Sequence, residues 1–156
     1  MVSRIGGTQT IGGVTVEVSR TPAVLSGGSE WSGTAGKTFR IPLAGQYSKI
    51  AFLVGAMFVP AKSSAVFGTI NITYSDGSTA VFNLENNKNI RDWWLAAVPG
   101  GIAPDLSFAD ASLQEFGLFM PIWNNPAPEK AITAVELKAD TAGLLCLAAV
   151  IAEKKQ

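Results

Sequence analysis

The sequence contains no histidine, and this absence removes several kinds of catalytic site. Hydrolases of the Ser-His-Asp and Cys-His types use histidine as their general base, so neither arrangement can form here. Zinc, copper, non-haem iron and haem centres that depend on imidazole ligands are excluded for the same reason. Any catalysis would have to rest on other side chains, above all carboxylates.

Only one cysteine is present, so the chain can form neither an internal disulfide nor a thiolate zinc site. Cys146 lies in the apolar segment Gly-Leu-Leu-Cys-Leu-Ala-Ala-Val at 143–150. This setting favours a small buried side chain over a catalytic thiol, because no histidine is available to activate the sulfur.

Charge is also scarce: 15% of the 156 residues are charged, and twelve Lys and Arg balance twelve Asp and Glu. Without a basic excess that could displace counterions from phosphates, we expect no nucleic-acid partner. The hydrophobic share of 47% excludes a disordered segment, and the length fits a single domain spanning residues 1–156.

Long apolar runs are missing as well. The two most apolar segments, Ile50–Val59 and Leu144–Ala152, are about half the roughly 20 residues that a membrane-spanning helix needs, so we expect no membrane insertion. The N-terminus lacks the apolar core of a signal peptide. The chain therefore reads as a domain excised from a longer multidomain protein.

The pattern that is present has a period of two. Apolar and polar residues alternate along several short segments, as in antiparallel strands with one face on a core. The segments are Val14–Val18, Phe39–Leu43, 69–74 and 79–84. Asp76-Gly77 separates the last two, which predicts a β-hairpin over 69–84.

The remaining strands are predicted from apolar content and turn signals. Ile50–Val59 is apolar throughout and is typical of a central strand. The composition of Leu144–Lys155 favours a helix. The turn signal at 140–143 instead favours a strand over Leu144–Ile151, and we predict the strand. Phe116–Trp123 and Ala131–Ala139 complete eight or nine strands, and 85–115 is one long irregular stretch. The predicted fold is an all-β, antiparallel two-sheet β-sandwich with little helix.

Four motifs carry a family resemblance. They are Ile72-Thr-Tyr74-Ser-Asp76-Gly77-Ser78, Phe82-Asn-Leu84, Asn89-Ile90-Arg-Asp92-Trp93-Trp94 and Trp123-Asn-Asn-Pro126-Ala-Pro128-Glu-Lys-Ala-Ile132. In this order they resemble the galactose-binding-like jelly-roll accessory domains of bacterial polysaccharide-degrading enzymes, over roughly residues 37 to 151. Those domains often carry a histidine near the end of the strand that corresponds to Ile50–Val59, where this chain has Gly55-Ala56-Met57.

The resemblance implies a non-catalytic carbohydrate-binding module. It would tether a secreted, cell-surface or periplasmic enzyme to a polysaccharide or oligosaccharide, with a neighbouring catalytic domain as its second partner. Such jelly rolls often hold a structural Ca²⁺, although no Asp-x-Asp-x-Asp-Gly spacing occurs here. No other cofactor is expected.

Sugar-binding proteins stack aromatic rings on the apolar face of a pyranose and bind its hydroxyls with amides and carboxylates. Trp31 lies in a polar, glycine-rich loop with no apolar neighbours. Trp93 and Trp94 are adjacent, so in extended chain one faces the core and the other the surface. Trp123 is either a stacking ring or the anchor of a proline-stiffened turn. The candidate sugar-binding residues are Trp31, Trp94, Trp123, Asp92, Asn124 and Asn125.

Four acids, Asp92, Asp105, Asp110 and Glu115, lie in or beside the long stretch 85–115. A glycosidase needs two carboxylates across a cleft, but acids in loops more often cap turns. We therefore predict no enzymatic activity. The alternatives are a structural domain that packs against a catalytic neighbour without a ligand, and a self-assembling jelly-roll protein.

Overall fold

The structure is a computed structural model that describes residues 7–11, 14–18, 23–28, 36–59, 65–94, 101–109 and 114–154. These residues form twelve β-strands and no helix. The strands are β1 (Gly7–Ile11), β2 (Val14–Val18), β3 (Ala23–Leu25), β4 (Thr38–Ile41), β5 (Tyr47–Met57), β6 (Val66–Tyr74), β7 (Thr79–Glu85), β8 (Leu106–Ala109), β9 (Glu115–Leu118), β10 (Ile122–Asn124), β11 (Ile132–Ala139) and β12 (Leu144–Lys154). No helix in this described part is long and apolar enough to cross a membrane.

Eight of the strands form two antiparallel sheets that pack face to face. One sheet has the order β10-β5-β12-β3 and the other β4-β11-β6-β7. Most successive sandwich strands lie in opposite sheets, so hydrophobic side chains from distant parts of the chain meet between them. The predicted antiparallel two-sheet β-sandwich is confirmed.

The predicted hairpin is confirmed as β6 and β7, joined by a turn in which Gly77 has a φ of 83°. Only glycine adopts this backbone conformation without steric cost, which is why Asp-Gly is such a strong hairpin signal. The choice of strand over helix at the C-terminal end is also confirmed, since β12 pairs with β5 along most of its length.

Other boundaries were predicted wrongly. Phe116–Trp123 is not one strand but two, β9 and β10, interrupted where Pro121, which has no backbone N–H, joins them. The stretch 85–115 contains β8, which pairs with β9 in a two-stranded ribbon. With β1, β3 and this ribbon, the described chain has more than the eight or nine strands expected, because short strands of three to five residues leave little periodicity to detect.

The core lies between the two sheets, and β5 is buried on both of its faces. Ile50, Phe52 and Val54 point toward the opposite sheet, while Leu53 points outward and is covered by Leu118 of β9. A strand with two buried faces needs apolar residues at consecutive positions. This explains why β5 lacks alternation, and it confirms the prediction of a central strand.

Separate chain segments cover the edge of β5 that does not face β12. β10 pairs with residues 49–51, while the backbones of Phe119 and Pro121 bond those of Val54 and Phe52. Further along, the Trp93 N–H donates to the Ala56 carbonyl at 2.7 Å. Because Asp92, Trp93 and Trp123 all attach to this one edge, β5 is the scaffold on which the candidate site residues are placed.

Cys146 is buried in β12, as predicted, and burial raises the pKa of its thiol to about 12. At neutral pH the sulfur is therefore protonated and shielded, which makes it a poor nucleophile. We expect a thiol-reactive disulfide reagent at pH 8 to leave the folded protein unmodified and to label one thiol after denaturation. Fast labelling of the native protein, followed spectroscopically, would contradict this placement.

Candidate functional site

Trp123 is a core residue in the structure. It is buried with the inner side chains of both sheets, on a strand only three residues long. Neither face of its ring is open for a sugar to stack on. The anchored-turn interpretation of this residue fits the structure, and Trp123 is not part of the site we propose below.

The amide of Asn125 is buried, and both its oxygen and its nitrogen form hydrogen bonds inside the protein. Its Oδ1 accepts hydrogen bonds from the Tyr74 hydroxyl at 2.7 Å and the Ala127 N–H at 2.9 Å, and its Nδ2 donates to the Tyr47 carbonyl at 2.8 Å. The side chain thus links both sheets to the turn that follows β10. Its neighbour Asn124 is exposed at the end of β10.

Asp92 holds two segments of backbone together. Its Oδ1 accepts the Trp94 N–H at 2.9 Å and its Oδ2 accepts the Val59 N–H at 3.2 Å. Hydrogen bonds to a carboxylate are stronger than those between neutral groups. The sequence suggested Asp92 as a partner for sugar hydroxyls, but in the structure both of its oxygens bind backbone.

The two adjacent tryptophans lie in different surroundings. Trp93 packs against Phe116, with ring centroids 5.1 Å apart, whereas 42% of the Trp94 surface is exposed. The sequence predicted one core ring and one ring near the surface: Trp94 does lie at the surface, whereas Trp93 is half-buried and is not among the core residues. Trp94 is therefore the one predicted aromatic candidate that the described residues present to solvent.

A second aromatic residue, which the sequence did not indicate, lies beside the two hydrogen bonds of Asp92, an arrangement we call the Asp92 clamp. Phe58 directly follows β5, is 66% exposed and has a backbone φ of 54°. A bulky residue with positive φ is unusual, and such strain is concentrated at binding and catalytic sites. We call Phe58 and Trp94 the aromatic pair. Pro60, which follows soon after, was a sequence signal that the strand ends before this position.

The turn before β12 packs closely against the backbone of Phe58 at Gly143. A Cβ at Gly143 would lie 2.5 Å from the Met57 carbonyl oxygen and 2.8 Å from that of Phe58. Only glycine allows the turn before β12 to approach this backbone so closely. The backbone of both members of the aromatic pair is therefore held in place, by the hydrogen bonds of Asp92 and by the close contact with Gly143.

The predicted site residues do not form one site. Asp92 bridges to β5 at Ala56, while Asn124 pairs with Lys49, a separation of about 23 Å at the usual rise of a strand. Asp92 and Trp94 therefore lie at one end of β5, and Trp123, Asn124 and Asn125 lie at the other. Trp31 lies outside the described residues.

The loop acids that the structure describes do not form a cluster. Asp105 accepts the Met120 N–H at 2.6 Å, and Glu115 is exposed at the start of β9. Asp110 lies outside the described residues. In the part of the chain that is described, no three acidic or sulfur ligands lie close enough together to hold a metal ion.

Another charged cluster lies at the β6–β7 turn. Lys130 binds Asp76 at 2.6 Å, and its Nζ lies 5.7 Å from the centre of the Tyr74 ring. The hydrogen bond from Lys130 holds the pKa of the Asp76 carboxyl well below its usual range and raises that of Lys130. These partners join the hairpin turn to the segment before β11.

Comparison of the chain with protein-family models, curated proteins and solved structures finds no match. The resemblance to galactose-binding-like accessory domains therefore rests on the sequence motifs and stays a prediction.

Proposed function

We propose that this domain is a non-catalytic carbohydrate-binding module whose aromatic pair, Phe58 and Trp94, binds glycan. In its parent protein it would tether a secreted polysaccharide-acting enzyme to its substrate. One observation carries the proposal: two exposed aromatic residues lie next to the backbone that Asp92 holds. Asp92 accepts hydrogen bonds from the N–H of Trp94 and from the N–H of the residue after Phe58.

This arrangement suits sugar binding for physical reasons. The C–H groups on one face of a pyranose pack against an aromatic ring, and rings carried on a firmly held backbone lose less entropy when they bind. Asp92 acts here as a positioning residue, since its oxygens bind the protein backbone. A site of two rings with few polar contacts should bind weakly, with a Kd from about micromolar to millimolar.

The proposal predicts that the pair, and not exposed apolar surface in general, carries the binding. We expect calorimetric titration with plant, algal and host-type oligosaccharides to show saturable binding, with tryptophan fluorescence as a second readout. Trp94→Ala and Phe58→Ala should each weaken it at least about tenfold, because each removes one stacking surface. Titrations with and without Ca²⁺ will show whether the ion contributes.

Ile122→Ala provides the matched control, because Ile122 is 51% exposed but lies on β10 and pairs with Ala51, about 17 Å along β5 from the Asp92 bridge at Ala56. It should bind like the unaltered protein. If the folded, unaltered domain binds no oligosaccharide of the panel, or if Ile122→Ala loses as much affinity as Trp94→Ala, the proposal fails.

The alternative is a structural domain that packs against a catalytic neighbour and binds no ligand. Exposed large apolar side chains outside the aromatic pair, such as Ile122, favour this role, since interfaces often cover such residues. Absence of glycan binding together with tight association to a neighbouring catalytic domain would support it.

A further inference from the structure

The two main sheets have four edge strands, and three of them offer little to a partner. β3 and β10 have three residues each, and β4 has four, including Arg40, with Pro42 directly after it. Short strands, charge and proline are the usual means by which proteins prevent edge-to-edge pairing. The fourth edge, β7, has seven residues and neither a lysine nor a proline.

The free hydrogen-bonding groups of β7 can be located from its pairing with β6. Ser78 and Tyr74 form a hydrogen-bonded pair, and such pairs alternate along an antiparallel ladder. Thr79, Val81 and Asn83 therefore direct their backbone N–H and C=O groups away from β6. Val81 is 60% exposed, and no strand pairs with this edge among the described residues.

One end of this edge is closed by a side chain. The Asn89 amide donates to the Asn83 carbonyl at 2.9 Å and accepts the Glu85 N–H at 2.8 Å. It occupies the place of a peptide group on a neighbouring strand, so a further strand can add only before it. The open part of the edge runs from Thr79 to the N–H of Asn83, centred on Val81.

We propose that this open edge pairs with the same edge of a second copy of the chain to form a two-fold symmetric dimer. A segment with outward groups at alternate residues is complementary to itself when two copies run antiparallel. Whether the axis passes at Ala80 or at Val81, the two Val81 side chains lie opposite each other or one diagonal step apart. Thr79–Asn83 contains no charged residue, so nothing in it repels its copy.

The dimer is independent of glycan binding, because β7 lies in the sheet that does not contain β5. A single strand pair buries little surface, so we expect a weak dimer with a Kd above about 1 µM. In sedimentation experiments up to about 1 mM protein, the mass should rise from the 16.3 kDa of one chain toward twice that value.

Charge at position 81 tests the geometry. Val81→Lys and Val81→Glu should each weaken association at least about tenfold, since like charges meet near the axis, and an equimolar mixture should restore it. The side chain is exposed, so both variants should fold, and their circular dichroism and thermal unfolding check this. Ile122→Lys is the matched control and should associate like the unaltered chain.

The proposal is overturned if the unaltered chain stays monomeric over the whole range, or if Val81→Lys associates as well as it does. It is also overturned if Trp94→Ala, and not Val81→Lys, abolishes association, because the contact would then lie at the aromatic pair. Failure of the Lys and Glu variants to recover association when mixed would exclude the antiparallel geometry.

Discussion

Replacing Phe52 with alanine should lower the free energy of unfolding by about 4 kcal/mol. Phe52 is fully buried in β5, and its ring centroid lies 6.3 Å from that of Phe82 in the opposite sheet. The substitution removes a ring between two sheets, both of which are held by hydrogen-bonded partners and cannot close the cavity. Urea-induced unfolding followed by fluorescence measures the effect. If the alanine variant does not fold, Phe52→Leu replaces it and should show a smaller loss of unfolding free energy.

Phe39→Ala is the matched control for this prediction. Phe39 lies on the edge strand β4 with 39% of its surface exposed, so its removal leaves an opening to solvent and no closed cavity. We expect a loss below about 1.5 kcal/mol. Equal losses for the two variants would show that the core does not centre on the contact between β5 and the opposite sheet.

Replacing Asn125 with alanine should cost about 3 kcal/mol in unfolding free energy. The substitution removes the acceptor for the Tyr74 hydroxyl and the Ala127 N–H and the donor to the Tyr47 carbonyl. These groups lie in a mostly buried region where water cannot readily replace the amide, and each polar group left without a partner there is costly.

Asn124→Ala tests the same chemistry at the adjacent, exposed position. Because its side chain faces solvent, we expect a change within about 0.5 kcal/mol. Denaturant unfolding of both variants under identical conditions decides the matter. If Asn125→Ala were as stable as Asn124→Ala, the amide would not be the link between the sheets that the structure indicates.

The fold could be predicted to the level of its class because β6, β7 and β11 each have one face that is more buried than the other. Apolar and polar residues alternate along such strands, and Asp76-Gly77 marks the turn between two of them. The β8–β9 ribbon could not be predicted. Its short strands cover the outer face of β5 at Leu53, and this tertiary contact leaves no local pattern.

The candidate site was less accessible to sequence reasoning. Asn124 and Asn125 are identical neighbours, yet one is exposed and the other binds Tyr74, because consecutive residues in extended chain face opposite sides. Trp94 was identified from its residue type, but Phe58 was hidden in an apolar run. Its exposure, its positive φ and its position beside the Asp92 clamp identify it in the structure.

The way β5 is enclosed also has a consequence for the order of folding. Its partners are distant in sequence: the Ser48 side chain bonds Glu153, 105 residues later, and Asn125 bonds Tyr47 across 78 residues. Such non-local pairing is slow, whereas the β6–β7 hairpin closes locally. At ordinary rates of synthesis, β5 waits about 5 to 20 s for β12 to leave the ribosome. During that interval the apolar residues of β5 lack the strand that pairs with them in the folded protein, and an unpaired apolar strand is prone to aggregate.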